Sequence, residues 1–241
     1  MRKALATIGA GPAAELLDLS RPTFRAYADR HGYDLIEGAP EDANRAPSWW
    51  KIPLVCRLLD SYDFVLWVDA DTLILDPTVD VETVIPPDAF QAFATVELKD
   101  RLGNSPCCGV WAFRAGERTQ RFLDAIWAQD DLIGHRWWEQ AALMRLLGWS
   151  LDYPITKNRP SEWDDGTFLL SEEWDMIPVF PIGYASGRIR HFAGWPYRRR
   201  KFDMRTDLAR LNGNLPRYWL GVLERNTRSI YGPALRRLRG R

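Results

Sequence analysis

The sequence predicts one α/β domain, a mostly parallel central sheet flanked by helices. Strand-like apolar runs alternate with helical stretches from Lys3 to Leu147, the pattern of a parallel sheet with crossover helices. The run Phe64-Val65-Leu66-Trp67-Val68 has no polar residue, as a strand buried on both faces requires. At 241 residues, 46% hydrophobic and 27% charged, the chain suffices for one substantial core of ordinary globular composition.

Lys3–Ile8 reads as the first strand. Pro12–Arg30 reads as helical, with a break or restart at Ser20-Arg21-Pro22, because proline suits a first turn. Tyr33–Ile36 is the second strand, and the loop Glu37–Pro47 carries Gly38, Pro40, Asn44 and Pro47, all turn formers. A helix over Ser48–Ser61 follows, its start blurred by Pro53, and then the Phe64–Val68 strand. Further strands are predicted at Phe90–Val96 and Gly109–Phe113, and helices at Thr119–Gln129 and Arg136–Leu147. Beyond Gly148 the pattern loosens into a Pro- and Trp-rich region, with short strands at Met176–Val179 and Arg188–Phe192. There is no internal repeat.

No apolar run approaches the ~20 residues that span a bilayer. The basic start Met1-Arg2-Lys3 meets Glu15 and Asp18 too soon for a signal peptide. Three cysteines, two of them adjacent, make no disulfide framework, so a reducing cytoplasm is expected. The net charge of zero hides an asymmetry: residues 197–241 hold 13 basic and 3 acidic side chains. Residues 1–196 are therefore the acidic domain, and 197–241 a basic C-terminal extension, helical and packed on it or appended to it. Basic residues interleaved with Tyr218, Trp219, Leu220, Val222 and Leu223 suit an anionic membrane surface at the inner face or a polyanionic acceptor. A solvated basic cap is the plainer alternative. Nucleic acid is not expected, since no recognised binding module accompanies the charge.

The chemistry begins at Asp63–Asp76. The buried strand delivers Asp69 and Asp71 to its C-terminal end, where ligands of open α/β sheets bind. Alternate residues of an extended chain share a face, so the two are predicted to meet one ligand together. Paired hard oxygens suit Mg²⁺ or Mn²⁺ bridging a diphosphate. Two other motifs compete. Gly9-Ala10-Gly11-Pro12-Ala13-Ala14, with Glu37 ending the next strand, matches a dinucleotide turn for FAD or NAD, although the break at Ser20-Arg21-Pro22 and the long spacing to Glu37 count against it. Thr72 falls one position early for the D-x-D-x-T of haloacid dehalogenase-type phosphatases. A dinucleotide-binding oxidoreductase and a non-catalytic carbohydrate or membrane-surface module stay open beside a metal–diphosphate enzyme.

Asp69-Ala70-Asp71, between Leu66-Trp67-Val68 and Thr72-Leu73-Ile74, resembles the D-x-D motif of metal-dependent glycosyltransferases with the GT-A fold, a Rossmann-like single α/β domain. Tyr27-Ala28-Asp29-Arg30-His31-Gly32-Tyr33-Asp34 resembles the approach to their second strand, and Trp50-Lys51-Ile52-Pro53 the helix before the D-x-D strand. Trp138-Glu139-Gln140-Ala141-Ala142-Leu143 is similar to their acidic-Gln helix start, and His191-Phe192-Ala193-Gly194 to their H-x-x-G. The likeness is greatest to retaining galactosyl- and xylosyltransferases that use UDP-sugars.

The resemblance implies a nucleotide-sugar donor, UDP-linked, an Mn²⁺ or Mg²⁺ ion on Asp69, Asp71 and His191, and a carbohydrate, lipid-linked or other acceptor. It places Glu139 on the donor sugar and Gln140 near the reacting carbon. Thr7, Gly9, Lys51, Asp69, Ala70, Gly194 and Arg198 would hold the rest of the donor. Two positions depart from the family pattern: Cys107-Cys108-Gly109 stands where Asn-x-Gly is usual, with Asn104 three residues earlier, and Tyr197 stands where a diphosphate-binding cation is usual, with Arg198 next to it. Of the 12 tryptophans, Trp138 and Trp195 are the leading candidates for an acceptor platform.

Overall fold

The computed structural model describes residues 1–41, 43–98, 102–177, 187–225 and 227. The chain opens with β1 (Lys3–Ile8), α1 (Pro12–His31) and β2 (Tyr33–Gly38). A 3-10 turn at Pro47–Trp50 leads into α2 (Lys51–Leu58), β3 (Phe64–Val68) and β4 (Thr72–Ile74). Then come β5 (Gln91–Leu98), β6 (Gly103–Arg114), α3 (Glu117–Trp127) and α4 (Trp138–Leu146). The last described elements are β7 (Thr167–Leu170), β8 (Ile189–His191), α5 (Tyr197–Leu211) and a helix over residues 215–225, α6.

The main sheet has the order β2-β1-β3-β6-β5-β7. Only β6 runs against the others, so the predicted mostly parallel sheet flanked by helices is what forms. Strand alternation splits the core in two. Ala4, Ala6, Val65, Trp67 and Trp111 face α2, α3 and α4, while Leu5, Phe64, Leu66, Val68 and Val110 face Leu17, Phe24 and Tyr27 of α1. A small ribbon pairs β4 with β8 and sets Thr72 opposite His191, bringing residues 119 positions apart to one end of β3.

Several expectations are corrected. α1 runs unbroken through Ser20-Arg21-Pro22. Proline inside a helix costs about 3 kcal/mol, but burying Leu17, Phe24 and Tyr27 returns about 1.5–3 kcal/mol each, so tertiary packing wins. The buried Ser20 hydroxyl also lies 2.8 Å from the Ala70 carbonyl, tying the helix to the Asp69–Thr72 segment. Proposed as a start near Ser48, α2 begins at Lys51, which puts Pro53 in its first turn, where a missing N–H is tolerated. β6 starts at Gly103 rather than Gly109 because it forms a long hairpin with β5, with a register shift between Phe93 and Ala94. β7 was not foreseen; it pairs in parallel with β5 at the sheet edge. Met176 makes only an isolated bridge to Arg190, and residues 178–179 of the strand expected there lie outside the described residues.

The basic extension packs back on the domain. Met204 of α5 joins Leu16, Leu73 and Phe192 in a buried cluster. No described helix is long and apolar enough to cross a membrane. Residues 226 and 228–241 of the extension lie outside the described residues.

Because Pro22 is exposed and leaves the Asp18 carbonyl without its helical N–H, Pro22→Ala is expected to stabilise the fold by about 1–2 kcal/mol. Urea unfolding followed by circular dichroism checks this, and a destabilised variant would show that the ring itself supports α1.

Candidate active site

A cavity of about 960 Å³ opens at the carboxyl ends of β1 and β3, the ligand position of open α/β sheets and within the size range of small-molecule sites. Asp69, Asp71 and His191 line it, as do Glu139, Gln140, Ala70 and Gly194.

The two aspartates meet by a turn, not by strand alternation. The Asp69 N–H donates to the Gly109 carbonyl at 2.7 Å, and the Thr72 N–H donates back to the Asp69 carbonyl at 3.2 Å. The Thr72 hydroxyl also donates to that carbonyl, at 2.8 Å. This i to i+3 closure folds Asp71 back over the end of β3, so both carboxylates converge although the chain there is not extended.

Each carboxylate is half committed. Asp69 Oδ1 accepts from Trp67 Nε1 at 2.7 Å and Lys51 Nζ at 3.0 Å. Asp71 Oδ2 accepts from an Arg200 amino group at 2.8 Å. The remaining oxygens face His191 Nε2, Asp71 Oδ1 at 3.4 Å and Asp69 Oδ2 at 3.8 Å. Ligand atoms of these three residues all lie within 4.8 Å of one another. His191 Nδ1 is 2.8 Å from Asp175 Oδ1, a carboxylate with no exposed surface whose other oxygen accepts the Val110 N–H at 3.1 Å. A buried carboxylate behind an imidazole fixes the ring and its tautomer, the arrangement found behind metal-ligating histidines. Two hard oxygens and one imidazole nitrogen fit Mn²⁺ better than Mg²⁺, which favours oxygen ligands.

Burial alone would raise the Asp71 carboxyl, but His191 and Arg200 outweigh it and hold it at about 2. Burial would likewise favour a neutral His191, yet Asp175 and Asp71 push its pKa well above the ordinary value. Gly109 is required by this packing: a Cβ there would lie 2.1 Å from His191 Cε1. That explains the glycine of Cys107-Cys108-Gly109 without reference to backbone freedom.

Glu139 lines a second wall of the cavity, and Lys51, expected to contact the donor, lies outside the lining and behind Glu139. The Lys51 ammonium, with its side chain 2% exposed, lies 2.8 Å from Glu139 Oε1 and donates to the Cys108 carbonyl at 3.1 Å. Burial works against its charge, but Asp69, Cys108 and Glu139 outweigh it and hold its pKa well above that of a free lysine. Glu139 Oε2 is buried with no hydrogen-bond partner, on a residue that lines the cavity. An orphaned buried carboxylate oxygen carries a desolvation cost that a ligand donor would relieve. Gln140 follows, its amide 3.5 Å from the Ser105 hydroxyl. Trp138 enters α4 with φ of 47°, a strained conformation for an aromatic residue, and stands at the cavity with 47% of its surface exposed. Trp195 lines the cavity as well.

Not every predicted residue is here. Ile8 and Ala10 line the cavity in place of Thr7 and Gly9; Thr7 is fully buried, and Gly9 packs where a Cβ would touch Leu17. Asn104 bonds to Thr95 instead. Arg198 lines a separate groove, and Arg200, two positions on, lines the cavity instead. The Gly9-Gly11 turn does border the cavity through Ala10, Pro12 and Ala13, but Glu37, the expected ribose acid, is held by Arg21 at 2.6 Å. Two site residues escaped sequence reasoning. Arg200 stood within a run of like residues, and Asp175 carried no motif at all.

Residues 12–106 match the profile of the galactosyl transferase GMA12/MNN10 family. No curated protein matches the sequence. Among solved structures, a glycosyltransferase involved in glycosylation of the major capsid of PBCV-1 is similar, with TM-score 0.62 at 12% identity, over 85% of this chain and 99% of that one. The apo glycosyltransferase GlyE of Streptococcus pneumoniae TIGR4 is similar at TM-score 0.51 and 13% identity, over 80% of this chain and 55% of that one. The bifunctional glycosyltransferase WbbM gives TM-score 0.50 and 11% identity, over 80% of this chain and 46% of that one. This chain thus spans about half the length of GlyE and WbbM. It shares the GT-A-type fold of these glycosyltransferases.

Lys51→Met is expected to cost about 3–5 kcal/mol in unfolding free energy, because it strands two acids against a buried site, and Lys51→Met combined with Glu139→Gln should regain part of that. Chemical denaturation of the two variants tests the pairing. Gly109→Ala is expected to push the imidazole off Asp175, seen as loss of the downfield His191 Nδ1–H proton resonance; an unchanged resonance would show that the ring has room.

Proposed function

We propose that this protein transfers a sugar from a nucleotide-diphosphate sugar, a UDP-sugar, to a carbohydrate, lipid-linked or other acceptor, with Mn²⁺ or Mg²⁺ held by Asp69, Asp71 and His191. The observation that carries the proposal is a single cavity holding two unlike features. One is the set of converging atoms Asp69 Oδ2, Asp71 Oδ1 and His191 Nε2. The other is the unpartnered buried oxygen Glu139 Oε2. The GT-A-type fold and the match over residues 12–106 support the same reading.

Bound there, the ion would act as Lewis acid and template for the departing diphosphate. The chain's own groups prepare the rest. Asp175 fixes the His191 ring so that Nε2 faces the cavity. Arg200 steadies Asp71 and places a guanidinium, a competent phosphate ligand, at the same wall. Lys51 engages one Glu139 oxygen and leaves the other to accept a hydroxyl of the donor sugar. Gln140, next on α4, stands beside that sugar and is assigned the position nearest the reacting carbon. Trp138 and Trp195 offer flat apolar faces to an acceptor sugar. Retention of configuration is inferred from the motif resemblance to retaining galactosyl- and xylosyltransferases.

Asp71→Ala should abolish UDP-sugar turnover and remove Mn²⁺-dependent stabilisation by nucleotide diphosphates in a thermal-shift screen. Retained turnover in that variant would end the proposal. Asp175→Asn should weaken Mn²⁺ binding about 10–100-fold while the protein stays folded, read by calorimetric titration with the metal.

A further inference from the structure

The helix α6 is apolar on two sides. Tyr218, Gly221, Val222 and Arg225 recur at helical spacing and are buried, with Tyr218 and Val222 packed on Ala209 of α5. A Cβ on Gly221 would lie 2.4 Å from Thr206 Oγ1, so the two helices are in close contact. Arg225 is buried and donates from Nε to Asp203 Oδ1 at 2.9 Å, with a further bond to Asp207 at 3.3 Å. Asp207 also pairs with Arg190 of β8 at 2.6 Å. The helix is therefore firmly mounted, and its other side is fixed outward.

That outward side carries Leu215, Trp219 and Leu223 in line at four-residue spacing, with Leu220 adjacent, each between 53% and 68% exposed. Of 11 exposed large apolar side chains among the described residues, five, these four and Leu211, lie within 13 consecutive positions. Such concentration marks an interaction surface rather than ordinary surface scatter. Beside the stripe is a groove of about 620 Å³ lined by Arg198, Lys201, Arg205 and Arg217. Two acids, Glu15 and Glu224, line it as well, and Glu15 is engaged by Lys201 and Tyr197. Leu220 belongs to both stripe and groove, and Tyr197 to both groove and catalytic cavity.

We propose that this face docks on an anionic lipid bilayer, with Leu215, Trp219, Leu220 and Leu223 entering the headgroup boundary and the groove cations meeting lipid phosphates. An apolar line with tryptophan at its centre and arginines at its flank is the composition of an interfacial helix. Anionic headgroups attract basic side chains held close to the surface. The following residues 228–241 add five arginines and no acid in sequence. Docking would hold the mouth of the cavity beside the membrane through Tyr197. Docking of this face requires no sugar transfer.

The test is co-sedimentation of the full chain with vesicles of phosphatidylcholine alone and of phosphatidylcholine mixed with phosphatidylglycerol. Binding to the mixed vesicles should be at least tenfold tighter and should weaken with salt. Trp219→Glu combined with Leu223→Glu, two positions outside the cavity and the buried clusters, should lose at least tenfold of that binding with an unchanged melting temperature. Absence of wild-type binding to mixed vesicles overturns the proposal. So does undiminished binding by the double variant, which would assign attachment to charge alone. Dimerisation of the wild type in sedimentation velocity, abolished in the variant and without vesicle binding, would assign the stripe to a second copy of the chain.

Discussion

The buried ammonium of Lys51 organises this site. It comes from the first turn of α2 and reaches Asp69 beyond β3, the Cys108 carbonyl of β6 and Glu139 at the start of α4. Two acids this close repel one another, and the burial of Glu139 adds a desolvation cost. One cation between them converts that repulsion into cohesion. The same contact divides labour within each acid: Lys51 engages Asp69 Oδ1 and Glu139 Oε1, while Asp69 Oδ2 faces His191 and Glu139 Oε2 is left without a partner. A structural ion pair thereby selects which oxygens are left without a fixed partner.

A similar economy governs the histidine. Asp175 and Gly109 both act near the Nδ1–Cε1 edge of its ring, one by a hydrogen bond and the other by leaving space. The β4–β8 ribbon supplies the coarse placement, with Thr72 opposite His191, and the Phe192 N–H bonds to the Asp71 carbonyl at 2.9 Å. Backbone pairing thus brings the aspartates and the histidine to one place before any side chain interacts. Arg200 then closes the arrangement from α5, which makes the basic extension part of the site.

What the sequence disclosed was whatever depends on local pattern. The apolar run Phe64–Val68 announced a buried strand, its following carboxylates a ligand position, and Glu139-Gln140 and His191 were legible as chemistry by motif. The convergence of Asp69 and Asp71 was foreseen for the wrong reason, because a turn closed by Thr72 is invisible to strand periodicity. The unbroken α1 was hidden because Pro22 argues locally against a helix that distant packing enforces. β7 was hidden because Thr167-Phe168-Leu169-Leu170 is an edge strand whose Leu169 faces solvent, so hydropathy does not alternate cleanly. Asp175 is defined solely by tertiary contact. Choosing Arg200 over Arg198 required the rotation of α5 about its own axis, which composition does not record.

That rotation has a consequence for how the extension can change over time. Successive residues of an α-helix are about 100° apart, so Arg198 and Arg200 differ by about 200° and look in nearly opposite directions. One short helix therefore lines the candidate site with Arg200 and the basic groove with Arg198, Lys201 and Arg205. Substitutions on either side can accumulate separately. A one-residue insertion or deletion immediately before Arg198 turns every later position together, so both surfaces shift in one event. The helix is tolerant of spelling and intolerant of length.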